Sequence, residues 1–123
     1  MTIIYPNTSA KGSLGGLLRG NKVCINNLKS GNVVGFFLIV DGWKGEITNG
    51  ITTNFSTQSL NSDLPEQYRQ TSLLLGLEDE DAMILSFEDR KRPGGDKDFD
   101  DAVFILQTST PNSVDYSKLT PLD

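Results

Sequence analysis

The sequence predicts an all-β fold, either a β-sandwich or a jelly-roll-like fold built from two packed antiparallel sheets. Short apolar and β-branched runs recur along the chain, and Gly, Asn and Asp turns separate them. No segment keeps a helical period over three turns, although a single turn is expected near residues 65–69. The length of 123 residues suits one domain rather than two.

The sequence predicts two strands before Trp43. A short strand is predicted near Val23–Ile25, where Cys24 would be a small buried hydrophobic residue. The run Val33–Val40 is β-branched and aromatic, which predicts a strand buried on both faces. A Gly turn follows this run, and we expect Trp43 beyond it to close one end of the core.

Four further runs complete the predicted sheets. They are Ile51–Phe55, Gln70–Leu77, Met83–Phe87 and Ala102–Leu106. Between the second and third of these, the acidic run of residues 78–81 is expected to be a solvated turn. The predicted organisation is a Gly- and Asn-rich arm over residues 1–22, a β-sandwich over residues 23–108, and a C-terminal tail or linker over residues 109–123.

Composition excludes several classes of function. The chain has no histidine and one cysteine, so the usual zinc, copper and haem ligand sets are absent, as are Ser-His-Asp and Cys-His catalysis. The net charge of −5, without a basic stripe among aromatic residues, argues against nucleic-acid binding. The first residues lack the features of a signal peptide, and no apolar run is long enough to insert in a membrane, so we expect a soluble chain.

The negative charge is concentrated in one segment, because acids outnumber bases by ten to four between residues 78 and 101. Six of these acids lie between two apolar strands, and a Pro-Gly-Gly turn should bring their two halves together. Ionised carboxylates held this close repel one another unless a cation lies between them. Ca²⁺ takes six to eight oxygen ligands at flexible angles. The sequence therefore predicts a Ca²⁺ site with six candidate ligands, which are Glu88, Asp89, Asp96, Asp98, Asp100 and Asp101.

Two features limit this prediction. The spacing does not fit an EF-hand, because Asp101 and Gln107 stand where that loop requires Gly and Glu. If the segment were extended, Asp101 would face away from the Asp96 side, so a loop before the strand or a bulge near Asp100 is needed to turn it toward the ion. Otherwise Asp101 is expected to cap local backbone amides. The alternative is a solvated hairpin loop in which Arg90, Lys91, Arg92 and Lys97 partly neutralise the acids.

These motifs resemble a known family. The segments are Val34–Trp43, the strand region of residues 53–60, Ile84–Asp89 and Gly94–Phe104, which together are similar to the bacterial domain-of-unknown-function family numbered 4114. The most specific part is Phe-Glu-Asp followed by Gly-Gly-Asp-Lys-Asp-Phe-Asp-Asp, with Asp100 where the family usually has Asn. The resemblance implies an all-β module of large secreted or adhesin-type surface proteins, often near Ca²⁺-dependent repeats, with no enzymatic activity.

Three functions follow from these expectations. The first is a non-enzymatic Ca²⁺-stabilised module with a structural or adhesive role in an extracellular, cell-surface or virion assembly, whose partners are other proteins of the assembly or a parent surface protein. The second is a Ca²⁺-dependent carbohydrate- or surface-binding module, in which exposed Tyr5, Tyr68 or Tyr116 could contact a glycan. The third is a glycosidase with Glu88 or Asp98 as the acid, which we disfavour because the other acids would crowd the pair.

Overall fold

The computed structural model describes residues 1–12, 14–77, 82–113 and 115. Within them the fold is all-β, with short 3-10 helices at Gln58–Leu60 and Glu66–Tyr68. The latter confirms the turn predicted near residues 65–69. The strands are β1 (Phe37–Val40), β2 (Thr52–Phe55), β3 (Ser72–Leu77), β4 (Ala82–Phe87) and β5 (Ala102–Gln107).

The strands form two antiparallel sheets. β1 pairs with β2, and Phe37 lies opposite Phe55 with their ring centroids 6.3 Å apart. The second sheet has the order β3-β4-β5, so consecutive strands are neighbours. Its register aligns Leu74, Leu85 and Phe104 across the three strands, and aligned residues share one face of the sheet. The predicted fold class and its two antiparallel sheets are therefore confirmed.

The hydrophobic core lies between the two sheets. Leu85 and Phe87 of β4 form its buried centre together with Ala102 of β5. From the side of the two-stranded sheet, Leu38 of β1 and the preceding Phe36 pack against this centre. Full burial of a Leu or Phe side chain stabilises a fold by roughly 1.5–3 kcal/mol. The apolar side chains of β1 and β4 therefore hold the two sheets together, and they hold the C-terminal end of β4 in place.

β5 shows the alternation expected of a strand with one covered face. Ala102 is buried and Phe104 is half-buried, whereas Val103 and Ile105 are 53% and 68% exposed. Tyr5 covers the inner side of this strand, because its ring stacks on Phe104 with centroids 5.8 Å apart. The outer face of β5 is therefore apolar and open to solvent.

Two buried asparagines join the sheets through hydrogen bonds. Asn61 Nδ2 donates to the carbonyl oxygens of Phe55 and Arg69 and to Thr71 Oγ1, and its Oδ1 accepts from the Phe55 N–H. In β2, Asn54 Nδ2 donates to the Glu88 carbonyl oxygen at 2.8 Å. These contacts connect the end of β2 to the start of β3 and to the residue that follows β4.

The predicted strand at Val23–Ile25 is wrong. All residues from 21 to 35 are exposed, and Cys24 is an exposed free thiol rather than a buried one. Asn27 and Gly31 have φ values of +66° and +82°, which turn the chain away from an extended path. β-Branched residues form a strand only where a neighbouring strand and a packing surface are present, and this segment has neither among the described residues.

The predictions for the following run are also corrected. Val33 is 96% exposed, and the strand begins only at Phe37. β1 is half-buried rather than buried on both faces, because one side of a two-layer fold faces solvent. Trp43 is 39% exposed and does not close the core, since it lies in the long β1-β2 connection, where it bridges to Ile47.

Some expectations lie outside the described residues. These are the turn at residues 78–81, Tyr116 and most of the tail. Among the residues that the structure does describe, no helix is long and apolar enough to cross a membrane.

Candidate metal site

Glu88 is the central acid of the acidic segment. It follows the last residue of β4, and it is only 1% exposed. Its N–H donates to the Thr71 carbonyl oxygen at 3.1 Å, and its own carbonyl oxygen accepts from Asn54. Both sheets therefore hold its backbone, and the side chain is directed into the turn of residues 94–99, where Oε2 accepts from the Lys97 N–H at 3.1 Å.

The turn itself bends sharply around this carboxylate. Gly95, Lys97 and Phe99 have φ values of +81°, +66° and +57°. Phe99 is buried, and the Arg92 guanidinium carbon lies 5.1 Å from the centre of its ring. Anchored by this side chain, the turn folds back over the end of β4 and brings Asp96 and Asp98 to Glu88.

The acids form two groups that share Glu88. Carboxylate oxygens of Glu88, Asp96 and Asp98 lie within 4.8 Å of one another, and the same holds for Glu88, Asp89 and Asp101. Oxygens at this separation can bind one cation at the 2.3–2.6 Å distances of Ca²⁺ coordination. Five of the six predicted ligands are thus brought together, with Glu88 able to serve either group.

Asp101 reaches the second group because it lies in a bend before β5, as the prediction required. Its Oδ2 accepts from the Asp89 N–H at 2.8 Å, which closes the loop across its base. Asp100 is placed differently: it belongs to neither group, and its N–H donates to Asp98 Oδ1 at 3.3 Å. The Asp98 side chain therefore forms an Asx-turn with the backbone of Asp100, and this bond orients a candidate ligand.

The surroundings of Glu88, Asp89 and Asp100 oppose the ionisation of these three acids. Burial raises the pKa of Glu88, and the nearby charges of Asp101 and Asp96 raise it further. Burial also raises the pKa of Asp89, with Asp101 as the next cause. The Asp98 carboxylate raises the pKa of Asp100 through a hydrogen bond and through charge repulsion. A bound cation would relieve all of these effects at once.

The bases of the segment form no close ion pair with the six acids among the described residues, although the Arg90 charge partly offsets the rise in the pKa of Asp89. Lys91 Nζ lies 2.6 Å from Asp63 Oδ2, outside the acidic groups, and Arg92 is directed toward Phe99. Within the described part of the chain, no ion pair within 4 Å joins a base to any of the six acids. The solvated loop with partial neutralisation by bases therefore stays the alternative to a Ca²⁺ site.

The second acidic group faces a cleft of about 430 Å³. Asp89 and Asp101 line one wall, residues 8–10 line another, and β1 with Asp41 completes it. A cation held by this group would be reachable from the cleft.

Gly95 is a residue that sequence reasoning placed in the turn without a specific role. A Cβ at this position would collide with Glu88 Oε1, and the φ of +81° disfavours any L side chain. We expect Gly95→Ala to lower the melting temperature and to weaken cation binding, because the Glu88 carboxylate must move. Gly45→Ala is the matched control, since Gly45 has a φ of +86° with nothing near its Cβ position. Differential scanning fluorimetry of both variants would contradict this role of Gly95 if their losses were equal.

The family profile described as "Domain of unknown function (DUF4114)" matches residues 28–109. The chain belongs to the DUF4114 family. No curated protein and no solved structure matches this chain. The DUF4114 match contains all five strands and all six acids of the site, so the resemblance stated from sequence is confirmed.

Sequence reasoning missed the residues that hold the DUF4114 site in place. The residues next to Asn54 and Asn61 give no sign that these asparagines are buried, since an isolated Asn in a polar stretch usually indicates a turn. The burial of Glu88 had one indirect signal, which is its position directly after an apolar strand.

Proposed function

We propose that this DUF4114 domain is a non-enzymatic Ca²⁺-binding module with a structural or adhesive role in an extracellular, cell-surface or virion assembly. The observation that carries the proposal is Glu88, a buried carboxylate shared by two groups of acids, with no basic side chain paired to it among the described residues. An ion at either group would tie the end of β4 to the start of β5. It would thereby fix the loop between two core strands.

Oxygen-only ligands and an irregular loop favour Ca²⁺ over Mg²⁺, which requires nearly ideal octahedral geometry and keeps much of its water. Extracellular modules bind Ca²⁺ with dissociation constants of about 10⁻⁴–10⁻³ M. Such a site fills outside a cell and stays mostly empty in the cytosol. The ion would therefore make the module rigid only in the place where it assembles.

The test is thermal unfolding in EDTA, in millimolar Ca²⁺ and in millimolar Mg²⁺. Millimolar Ca²⁺ is about one to ten times such a dissociation constant, so it adds roughly 0.4–1.4 kcal/mol to the free energy of unfolding. We expect a rise of several degrees in melting temperature with Ca²⁺ and a smaller rise with Mg²⁺. Isothermal titration calorimetry then gives the number of ions bound.

Two isosteric variants locate the ion. Asp98→Asn removes one charge from the first group and keeps the Oδ1 acceptor for Asp100, and Asp101→Asn does the same for the second group and the Asp89 N–H. At least one of them should lose most of the Ca²⁺ response. Glu46→Gln, at an exposed acid in the β1-β2 connection, should keep it. A full response in both site variants would mean that the acidic loop does not bind the ion.

The cleft beside Asp89 and Asp101 favours a second candidate function, that of a Ca²⁺-dependent carbohydrate-binding module. An ion held by Asp89 and Asp101 could bind sugar hydroxyls that enter from the cleft. Glycan-array binding that needs Ca²⁺ and is lost in Asp101→Asn would support this function. Binding that persists in EDTA would exclude the ion from it.

A further inference from the structure

The described part of residues 1–20 forms a small unit of its own, which we call the N-terminal segment. Its hydrogen bonds are internal or reach only Asn21, directly after it. Within the described residues, no hydrogen bond joins it to the five strands or to the loops between them. The DUF4114 match begins at residue 28, so the N-terminal segment also lies outside the family domain. It is therefore an addition to the domain that side-chain packing holds in place.

The N-terminal segment folds back on itself. The Lys11 N–H donates to the Leu17 carbonyl oxygen at 3.1 Å, and the Leu17 N–H donates to the Ser9 carbonyl oxygen at 3.2 Å. Gly15 lies so close to Ser9 that a Cβ on it would collide with the Ser9 carbonyl group. These contacts give the segment a shape that does not depend on the sheets, so it can move as one body.

One aromatic contact docks the N-terminal segment on the domain. The Tyr5 ring stacks on Phe104 of β5 with an angle of 19° between the ring planes, and Phe104 packs against the hydrophobic core. Tyr5 Oη also donates to the Asn21 carbonyl oxygen at 3.2 Å. The side chain that docks the segment therefore also holds its two ends together.

Docking places the N-terminal segment beside the second acidic group. Residues 8–10 form one wall of the cleft of about 430 Å³, and Asp89 and Asp101 lie on another wall. Because residues 8–10 belong to the segment, the cleft is closed on that side only while Tyr5 is docked. Release of the segment would leave the two acids open to solvent there.

The connection from the N-terminal segment to β1 allows such a release. All residues from 21 to 35 are exposed, and the one backbone hydrogen bond described between two of them runs from the Asn32 N–H to the Lys29 carbonyl oxygen. A region with few buried contacts and exposed hydrogen bonds opens at a fraction of the free energy of global unfolding. The segment can therefore leave its place while the strands stay paired.

We propose that the N-terminal segment is a lid on the cleft, anchored by Tyr5 and hinged at residues 21–35, and that its opening controls access to Asp89 and Asp101. Docking of the lid needs no ion. Its effect on the exchange of Ca²⁺ rests on the proposed function, because it requires an ion at the second acidic group.

NMR relaxation of backbone ¹⁵N in the full chain, in EDTA, tests the lid without an ion. In wild type, residues 8–10 should have order parameters of about 0.85, because a docked lid tumbles with the domain. Tyr5→Ala removes the stacked ring, so these values should fall below about 0.6. Tyr5→Phe keeps the ring and loses only the hydrogen bond to Asn21, so its lid should stay rigid. Tyr68→Ala is the matched control, since it removes a half-buried tyrosine of the 3-10 helix Glu66–Tyr68.

Two further measurements report on access to the acids. A neutral nitroxide dissolved in the same samples should broaden the amide signals of Asp101 and Ala102 severalfold more in Tyr5→Ala than in wild type. After loading with Ca²⁺ and mixing with a chelator, Tyr5→Ala should release the ion about tenfold faster, because loss of a buried aromatic contact shifts the lid equilibrium by at least that factor. Tyr5→Phe and Tyr68→Ala should match wild type in both measurements.

The outcomes distinguish the lid from the proposed Ca²⁺ site. Low order parameters at residues 8–10 in wild type, or high ones in Tyr5→Ala, would overturn the lid. Loss of the folded spectrum in Tyr5→Ala would overturn it too, since Tyr5 would then belong to the core. A mobile segment with unchanged nitroxide broadening or unchanged Ca²⁺ release would show that it does not control access. A lid that opens as expected on a chain that binds no Ca²⁺ would support the lid and refute the proposed function.

Discussion

Asn61→Ala is expected to lower the free energy of unfolding by about 3 kcal/mol or more. The side chain is buried and makes four hydrogen bonds, and three of them are to backbone groups of Phe55 and Arg69. Its removal leaves buried donors and acceptors without partners, and each such group costs about 1–3 kcal/mol. The fourth bond, to Thr71 Oγ1, is lost as well.

Urea unfolding followed by circular dichroism measures this loss. Asn49→Ala is the matched control, because Asn49 is an exposed asparagine in the β1-β2 connection and its substitution should change stability by less than about 0.5 kcal/mol. Asn61→Asp should be at least as destabilising as Asn61→Ala at neutral pH, since it buries a carboxylate against the carbonyl oxygens of Phe55 and Arg69. Equal stability of the two alanine variants would show that the Asn61 hydrogen bonds do not hold the sheets together.

The strands that sequence predicted well are those whose local pattern agrees with their packing. β5 follows the turn of residues 94–99 and the bend at Asp101, and the alternation in β5 matches its exposure residue by residue. Val23–Ile25 has an equally good local pattern but no strand beside it among the residues that the structure describes. Pairing is a property of the whole fold, so local β-propensity could not distinguish these segments.

The same contrast between local sequence pattern and packing in the whole fold decides which features of the acidic site could be predicted. The convergence of the acids was predictable, because the Gly-Gly turn and two flanking strands leave little other choice. The division into two groups was not, since it depends on left-handed residues at Lys97 and Phe99, neither of which is a glycine. The buried Phe99 ring holds that unusual backbone in place, and burial of a single loop aromatic has no periodic signal.

Glu88→Gln is expected to change stability in opposite directions with and without Ca²⁺. In EDTA the variant should be more stable than wild type at neutral pH. The raised pKa of Glu88 means that the folded protein holds its proton more tightly than the unfolded chain, for which the ordinary value is 4.5. The stability contributed by this group is complete below about pH 4.5 and is lost as pH rises through the raised pKa. Glutamine cannot ionise, and its side-chain oxygen can still accept from the Lys97 N–H.

In Ca²⁺ the order should reverse. Glu88 belongs to both acidic groups, so Glu88→Gln weakens either site and should remove most of the stabilisation that Ca²⁺ gives the wild-type protein. Chemical unfolding from pH 4 to pH 8, in EDTA and in Ca²⁺, measures both effects. In EDTA the wild-type curve should fall with pH more steeply than that of the variant. Glu66→Gln, at an exposed acid in the 3-10 helix Glu66–Tyr68, should follow wild type in both conditions. A variant that is less stable than wild type in EDTA would mean that the Glu88 charge supports the folded loop without an ion. The stability difference between Glu88→Gln and wild type should change sign when Ca²⁺ is added. This variant therefore distinguishes a Glu88 carboxylate that binds a cation from one that serves only as a hydrogen-bond acceptor.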